Sequence, residues 1–499
     1  MSYKLNLSGL QREGGVSITQ QLVDRISAAI EAGDLEPGEK LPPTRELAAQ
    51  AEVNHLTAAR VYRKLAELGY VSASVGRGTF VRALTPASSA SHGDDWQVYA
   101  LPPDEISYSE QVLADTFSLA GRDDLISLAT GWPAPSTYPT DDIARIAAEV
   151  FAEEGGNALS YLPAEGLFEL REQIAARGRT FGYAQDADEI VITSGAQQAI
   201  ALSAHATLEP GDVAVIESPT FMGMMTALRG TRARVIGVPV DENGFDVDAL
   251  ERLLARHEVK LVGLQTACQN PTGRNLSEER RARLAELAVE RNFFILEDRV
   301  YADMHFEGRF VRSLRELAPA HVLYVNSLSK VVGGGLRAGW VAARGPVRDR
   351  IATLKLDADF HSPTLIQHIA ARWLATGAYD RHVKETMPFY RERRDALLDS
   401  LERHLSGEYR VDPPAGGHHL WVTLTRPLDE RALYGEAARH GVTFTPGGAV
   451  TAERRSQTSF RLSFSLLDPE QLDEGVRRLA RAIREVRRRA RHTMPAAMS

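Results

Sequence analysis

From about residue 111 onward, short apolar runs alternate with stretches of helical periodicity, and no other feature restricts the fold of this chain as much. The runs DEIVIT, DVAVIES, RARVIGVPV, VKLVGLQT, NFFILED and HVLYVNS each stand between helix-forming segments. A strand, a crossover helix and a second strand of the same sheet pack only right-handed, with both sheet faces covered. The alternation therefore predicts a mostly parallel, doubly wound sheet with helices on both sides. After about residue 376, GEYRVDPPAGGHHLWVTL and SFRLSFSL mix with helices, which predicts a smaller C-terminal α/β lobe.

At 499 residues and 43% hydrophobic, the chain exceeds what one ordinary core organises, so further domains are expected, and the overall class is multi-domain α/β. Upstream, Ile18, Leu22, Ile26, Ala29 and Ile30 recur at helical intervals, and Gly33 can end that helix. Thr44 is placed to cap a short second helix after LPP, and Asn54 a third carrying Leu56, Val61, Leu65 and Leu68. Two strand-like runs, YVSAS and GTFVRA, flank Gly76-Arg77-Gly78. Three helices and a glycine-tipped hairpin spell a winged helix-turn-helix. Between them and the body, LTPASSASHGDDWQVYALPP has no apolar periodicity and reads as a linker. The expected division is a DNA-binding head at 1–83, a linker at 84–110 and a body at 111–499.

The net charge of −8 gives no overall pull toward phosphate, so DNA contact must come from a local patch. The single cysteine, Cys268, makes no intramolecular disulfide, which fits a reducing compartment. MSYKLNLSGLQREGG contains no apolar run like a signal peptide, and no run of about 18 apolar residues follows. The expectation is a cytoplasmic protein without a membrane partner.

Open α/β sheets bind ligands at the carboxyl ends of their strands. After DEIVIT comes Ser194-Gly195-Ala196-Gln197, opening a helix whose free N–H groups can hold a phosphate. Asp298 and Tyr301 follow NFFILE, Asn270 stands in NPTG, and Lys330 in NSLSKVVGGGLRAGW follows HVLYVNS. An amine, an acid, an amide and a phosphate cradle at successive strand ends make a coherent set for pyridoxal 5′-phosphate: lysine can bind its aldehyde and an acid can hold its ring nitrogen protonated. Glycines 333 to 335 allow close backbone approach, and Arg337 can then reach the phosphate. His418 and His419 look like a metal pair, but neighbours on a strand face opposite ways, so they read as structural and no metal site is expected.

These segments resemble the fold-type I aminotransferase superfamily over roughly 380 residues. The resemblance implies that Lys330 is the Schiff-base lysine, that Asp298 pairs with the pyridine nitrogen, and that Asn270 and Tyr301 hydrogen-bond the phenolic oxygen. It implies phosphate contacts from Ala196, Gln197, Ser327 and Arg337, and an aromatic stack from Phe221 of ESPTF. Tyr161 in YLPAEGLFELRE matches a tyrosine that reaches the neighbouring subunit's phosphate, which implies a homodimer. Arg461 in SFRLSF matches the arginine that grips a substrate α-carboxylate, near a loop matched by Gly131, Trp132 and Pro133. A tyrosine is commoner than Phe221, and a proline usually replaces one of the glycines before Arg337.

The segment GEKLPPTRELAAQAEVNHLTAARVYRKLAELGYVSASVGRGTFV resembles the GntR-type winged helix-turn-helix. The third helix must lie in the major groove, which makes Asn54, His55, Thr57 and Arg60 candidate contacts. Thr44 and Arg45 are placed to meet the DNA backbone, and Arg77 beside Gly78 to enter the minor groove from the wing. Asn54-His55 stands where the family often has Ser-Arg. A GntR-type head on a fold-type I body resembles the MocR family of transcription regulators. Two readings follow. One is a regulator of a double-stranded DNA operator that senses an amino acid, an amine or pyridoxal phosphate itself at Lys330; the other is an active aminotransferase carrying a DNA-binding head. The sequence leaves enzymatic turnover open.

Overall fold

The computed structural model describes residues 17–31, 34–35, 39–67, 70–74, 78–81, 107–119, 122, 124–308, 310–453 and 457–493. Contacts divide the chain into two units, Met1–Glu105 and Ile106–Ser499.

In the first unit α1 (Ile18–Glu31), α2 (Thr44–Gln50) and α3 (His55–Glu67) precede an antiparallel hairpin of β1 (Val71–Ser74) and β2 (Gly78–Val81). Leu22, Ile26, Leu47, Ala58, Val61 and Leu65 face inward at helical spacing and form its core. Thr44 is not the cap of α2 but its first helical residue. Pro43 holds the cap position with φ −54°, and its carbonyl accepts from Glu46 and Leu47 at 2.8 and 3.0 Å. Proline's fixed φ and missing N–H suit it to a helix start, so the helix begins there without a side-chain cap. Asn54 does cap α3: its Oδ1 accepts from the Thr57 N–H at 2.7 Å. The hairpin tip expected at Gly76-Arg77 lies outside the described residues.

The second unit is built on an eight-stranded sheet. Its order is Ile190–Thr193, Gly339–Ala342, Val322–Ser327, Phe294–Asp298, Val259–Leu264, Val213–Ser218, Arg234–Asp241 and Gly244–Phe245. The last-named pair of strands is antiparallel, and so are both pairings of Gly339–Ala342; the other pairings are parallel. Both faces are buried. Ile216, Leu261 and Leu296 pack into one core, and their neighbours Val215, Val262 and Ile295 into another. Apolar residues on both sides of the central strands explain why these read as continuous apolar runs, while Arg234–Asp241 is only partly buried.

The smaller lobe carries an antiparallel sheet of Tyr409–Val411, His419–Leu424, Ser459–Ser463 and Thr445–Pro446. A separate two-stranded ladder joins Ile126–Ser127 to Val442–Thr443. Helix Tyr108–Leu119 begins within the last residues of the stretch read as linker. In helix Pro469–Thr493, Arg477 and Arg478 pair with Glu474, and Arg488 and Arg489 with Glu485. Among the described residues no helix is long and apolar enough to cross a membrane.

Candidate functional site

The strand ends of the large sheet bring Lys330, Asp298, Asn270 and Tyr301 to one pocket, and the small lobe adds Arg461. Asp298 ends its strand and is buried; Gln265 Nε2 donates to one carboxyl oxygen at 2.7 Å and the Val300 N–H to the other at 3.2 Å. Burial pushes its carboxyl up to about 6, against those hydrogen bonds and the Lys330 charge. Lys330 stands in the turn after Val322–Ser327, with Nζ donating to the Gly131 carbonyl at 2.9 Å and lying 5.6 Å from the Tyr301 ring centre. Burial pulls the amine down to about 8; the Arg461 charge acts in the same direction and Asp298 opposes it. Burial thus brings the titration of this amine closer to neutral pH than that of an ordinary lysine.

Arg461 is buried in the middle of Ser459–Ser463. Its guanidinium donates to Asn270 Oδ1 at 3.0 Å, Thr445 Oγ1 at 2.9 Å and the Ala129 carbonyl at 2.5 Å. Its Nε has no partner, and no carboxylate pairs with it among the described residues. Burial lowers it to about 10. A buried cation held by neutral acceptors alone is costly, and an anionic ligand group relieves that cost.

A second cluster forms around helix Ala196–Thr207, whose first-turn N–H groups have no intrahelical acceptor. Gly195 (φ +99°) precedes it, and a Cβ there would stand 2.6 Å from Arg337 Nη2. Arg337, with φ +50°, donates to the Ser194 carbonyl. Gln197 turns its amide to the Gly223 carbonyl at 3.0 Å, beside the half-buried Phe221. Ser327 is buried at its strand end and accepts from the Ser329 N–H at 3.4 Å. Asp359, tied to Lys355, also reaches Ser194 and Gln198.

Of the remaining candidates, Gly131 supplies the carbonyl for Lys330, while Trp132 packs 5.6 Å from Phe117 and its carbonyl accepts from Ser465. Tyr161 is 87% exposed and meets the edge of His361, so it lies on the surface of this chain. In the head, Arg45, Asn54, His55 and Arg60 are exposed, and Thr44 and Thr57 half-buried. Asn54 Oδ1 is occupied by the Thr57 N–H and hydroxyl, which leaves His55, Arg60 and the 70%-exposed Leu56 as the open face at the start of α3. Gly78, at φ +121°, lies against Lys40; Arg77 lies outside the described residues.

Three site residues escape the sequence reading. Gln265 follows the strand VKLVGL, so the strand-end rule itself could have found it. His418 and His419 were visible as a pair but were assigned opposite faces. The strand begins only at His419, after Gly417 at φ +72°, and both rings lie edge-on to Tyr301 at 5.5 and 5.6 Å.

Fold and pocket together define a winged helix-turn-helix head joined to a fold-type I aminotransferase-like body. Residues 18–81 match the model of bacterial regulatory proteins of the gntR family, and residues 123–479 that of aminotransferase class I and II. The chain is 30% identical to the uncharacterized HTH-type transcriptional regulator YdcR of Escherichia coli, over 93% of this chain and 99% of that one. It is 25% identical to the probable rhizopine catabolism regulatory protein MocR of Rhizobium meliloti, over 95% of each. The crystal structure of Pyrococcus horikoshii kynurenine aminotransferase is 31% identical, with a TM-score of 0.72 over 78% of this chain and 96% of that one. The chain belongs to the MocR family of GntR-type transcription regulators, whose body is an aminotransferase class I and II domain that depends on pyridoxal 5′-phosphate. The residues present fit that cofactor: a buried amine, a buried acid, a glycine-lined helix start beside Arg337, and a guanidinium with no carboxylate partner among the described residues.

Proposed function

We propose that the chain is a DNA-binding transcription regulator whose body senses a carboxylate-bearing amino compound, or pyridoxal phosphate itself, at Lys330. Pyridoxal phosphate, when bound, supplies an aldehyde that joins primary amines. Lys330 offers the amine, Asp298 would hold the ring nitrogen, Asn270 and Tyr301 the phenolic oxygen, and the start of helix Ala196–Thr207 with Arg337 the phosphate. The observation that carries the reading is Arg461, a buried guanidinium beside Lys330 with no acidic partner among the described residues. An α-carboxylate completes it by a bidentate pair.

An effector shifts DNA affinity only by binding one arrangement of the protein better than another. Two heads in a homodimer would read half-sites about 34 Å apart or a multiple of that; the exposed Tyr161 supports such a pairing through its implied reach to a neighbouring site. The test is fluorescence anisotropy of an operator fragment titrated with the full chain, with and without pyridoxal phosphate and a panel of amino acids. Affinity should change with the effector in the wild type and stay constant in Lys330→Ala. Identical wild-type affinity in every mixture would overturn the reading.

The lowering of the Lys330 amine to about 8 and the completeness of the set also favour turnover as an aminotransferase. With pyridoxal phosphate bound, Lys330 would be the residue to take up and return the proton that such a reaction moves. Stoichiometric conversion of an amino donor to its 2-oxo acid, lost in Lys330→Ala, would establish this second activity.

A further inference from the structure

Tyr301 Oη and His419 Nε2 lie 3.0 Å apart, and both residues are buried. His419 shares a face with Arg461: across the ladder His419 pairs with Ser463 and Trp421 with Arg461, and residues two apart on a strand face the same way. The ring is clamped. On one side it meets the Tyr301 edge at 82°, and on the other a Cβ at Gly131 would stand 2.2 Å from its Cε1, so only glycine leaves room for it there.

The tautomer follows from what surrounds the second nitrogen. Among the described residues His419 Nδ1 is buried without a hydrogen-bond partner. If Nε2 accepted the phenol proton, Nδ1 would carry a buried N–H with no acceptor among the described residues, and an orphaned buried donor is destabilising. With the proton on Nε2, only a lone pair goes unused, which proteins tolerate more readily than an orphaned donor. His419 is therefore the donor and Tyr301 Oη the acceptor.

We propose that His419 is a positioning residue for Tyr301: its Nε2–H fixes the rotation of the phenol, so that the phenol's own proton is held toward the Lys330 pocket. The charged and titratable groups facing this pair are Lys330, Arg461, Asp298, Cys268 and His418. Burial and the Arg461, His418 and Lys330 groups hold His419 far below the ordinary histidine range, while burial raises the Tyr301 phenol. Both rings stay neutral around pH 7, and the bond persists. Accepting a hydrogen bond polarises the hydroxyl and strengthens the one it donates.

The inference rests on the reading that this pocket takes pyridoxal phosphate, and the experiment separates the two. The full chain is loaded with pyridoxal phosphate and its visible absorbance is titrated against pH. Donation from Tyr301 favours the deprotonated, more anionic form of the bound chromophore, so weakening it raises the midpoint. His419→Phe should raise the midpoint by about 1 pH unit, and His419→Gln, whose amide can still donate, by less than half of that. Tyr301→Phe should shift it at least as far, and the double variant no further than Tyr301→Phe alone. If His419→Phe does not fold, His419→Asn, with its shorter amide, replaces it. An unchanged midpoint in a loaded His419→Phe, or additive shifts in the double variant, overturns the positioning role alone. A wild type that never acquires the absorbance overturns the cofactor reading together with it.

Discussion

Lys330 and Arg461 are two cations in one buried pocket, tied to a glycine carbonyl and to an asparagine, and the strain between them has a measurable sign. Lys330 falls from an ordinary 10.5 to about 8 in the folded chain. Between those values the unfolded chain binds more protons than the folded one, so this residue makes stability rise with pH across that window. Below about pH 8 its full penalty is present. The cofactor-free Lys330→Met variant should therefore be more stable than wild type at pH 7, with the gap closing between pH 8 and 10. Denaturant midpoints of both proteins across that range measure it. A gap that does not change with pH would mean that the amine is not desolvated. That Lys330, Asp298 and Asn270 come together was legible because each polar residue interrupts or follows an apolar run. The places of His418 and His419 were not, since a strand that starts one residue later than expected leaves His418 outside the alternation.

At the scale of elements, burial decided what sequence could reveal. Five strands announced themselves because both their faces are buried, and Arg234–Asp241, largely half-exposed, by its apolar run alone; Gly339–Ala342, only four residues long, lay hidden behind the glycine-rich turn and the arginine that precede it. That strand is nonetheless what closes the cradle. A Cβ on Gly339 would meet the Gly195 carbonyl carbon at 2.6 Å and the Ala196 nitrogen at 2.8 Å, all backbone and unable to yield. Gly339→Ala should thus displace the helix start and reduce affinity for pyridoxal phosphate at least about tenfold, a loss of about 1.4 kcal/mol. Gly335→Ala, with open space around its Cβ, should bind as wild type does. Spectrophotometric titration of both variants distinguishes a packed cradle from a loose one. In the head, the short second helix shows the opposite limit: threonine is the better cap by propensity, and proline's backbone took the position.

For the molecule as a whole, a chain of net charge −8 must reach DNA through a small cationic face. Arg45, Arg60 and Arg63 are exposed in the head, whereas Lys64 donates to Gln20 within it. Removing a phosphate contact should weaken binding to all sequences alike and lower the slope of log affinity against log salt by about 1. Arg45→Ala tests this on a selected operator and on unrelated DNA; loss confined to the operator would make Arg45 a base reader instead. Domain order and chemistry were both readable from the chain, because each half carries its own periodicity and its own polar punctuation. The surroundings of Tyr301 were not, because they join residues more than a hundred positions apart. The ladder between Ile126–Ser127 and Val442–Thr443 reaches further still. The carbonyl that accepts from the lysine sits four residues beyond that ladder, so the stretch of backbone that holds the ε-amine is anchored, one step back, to the C-terminal lobe.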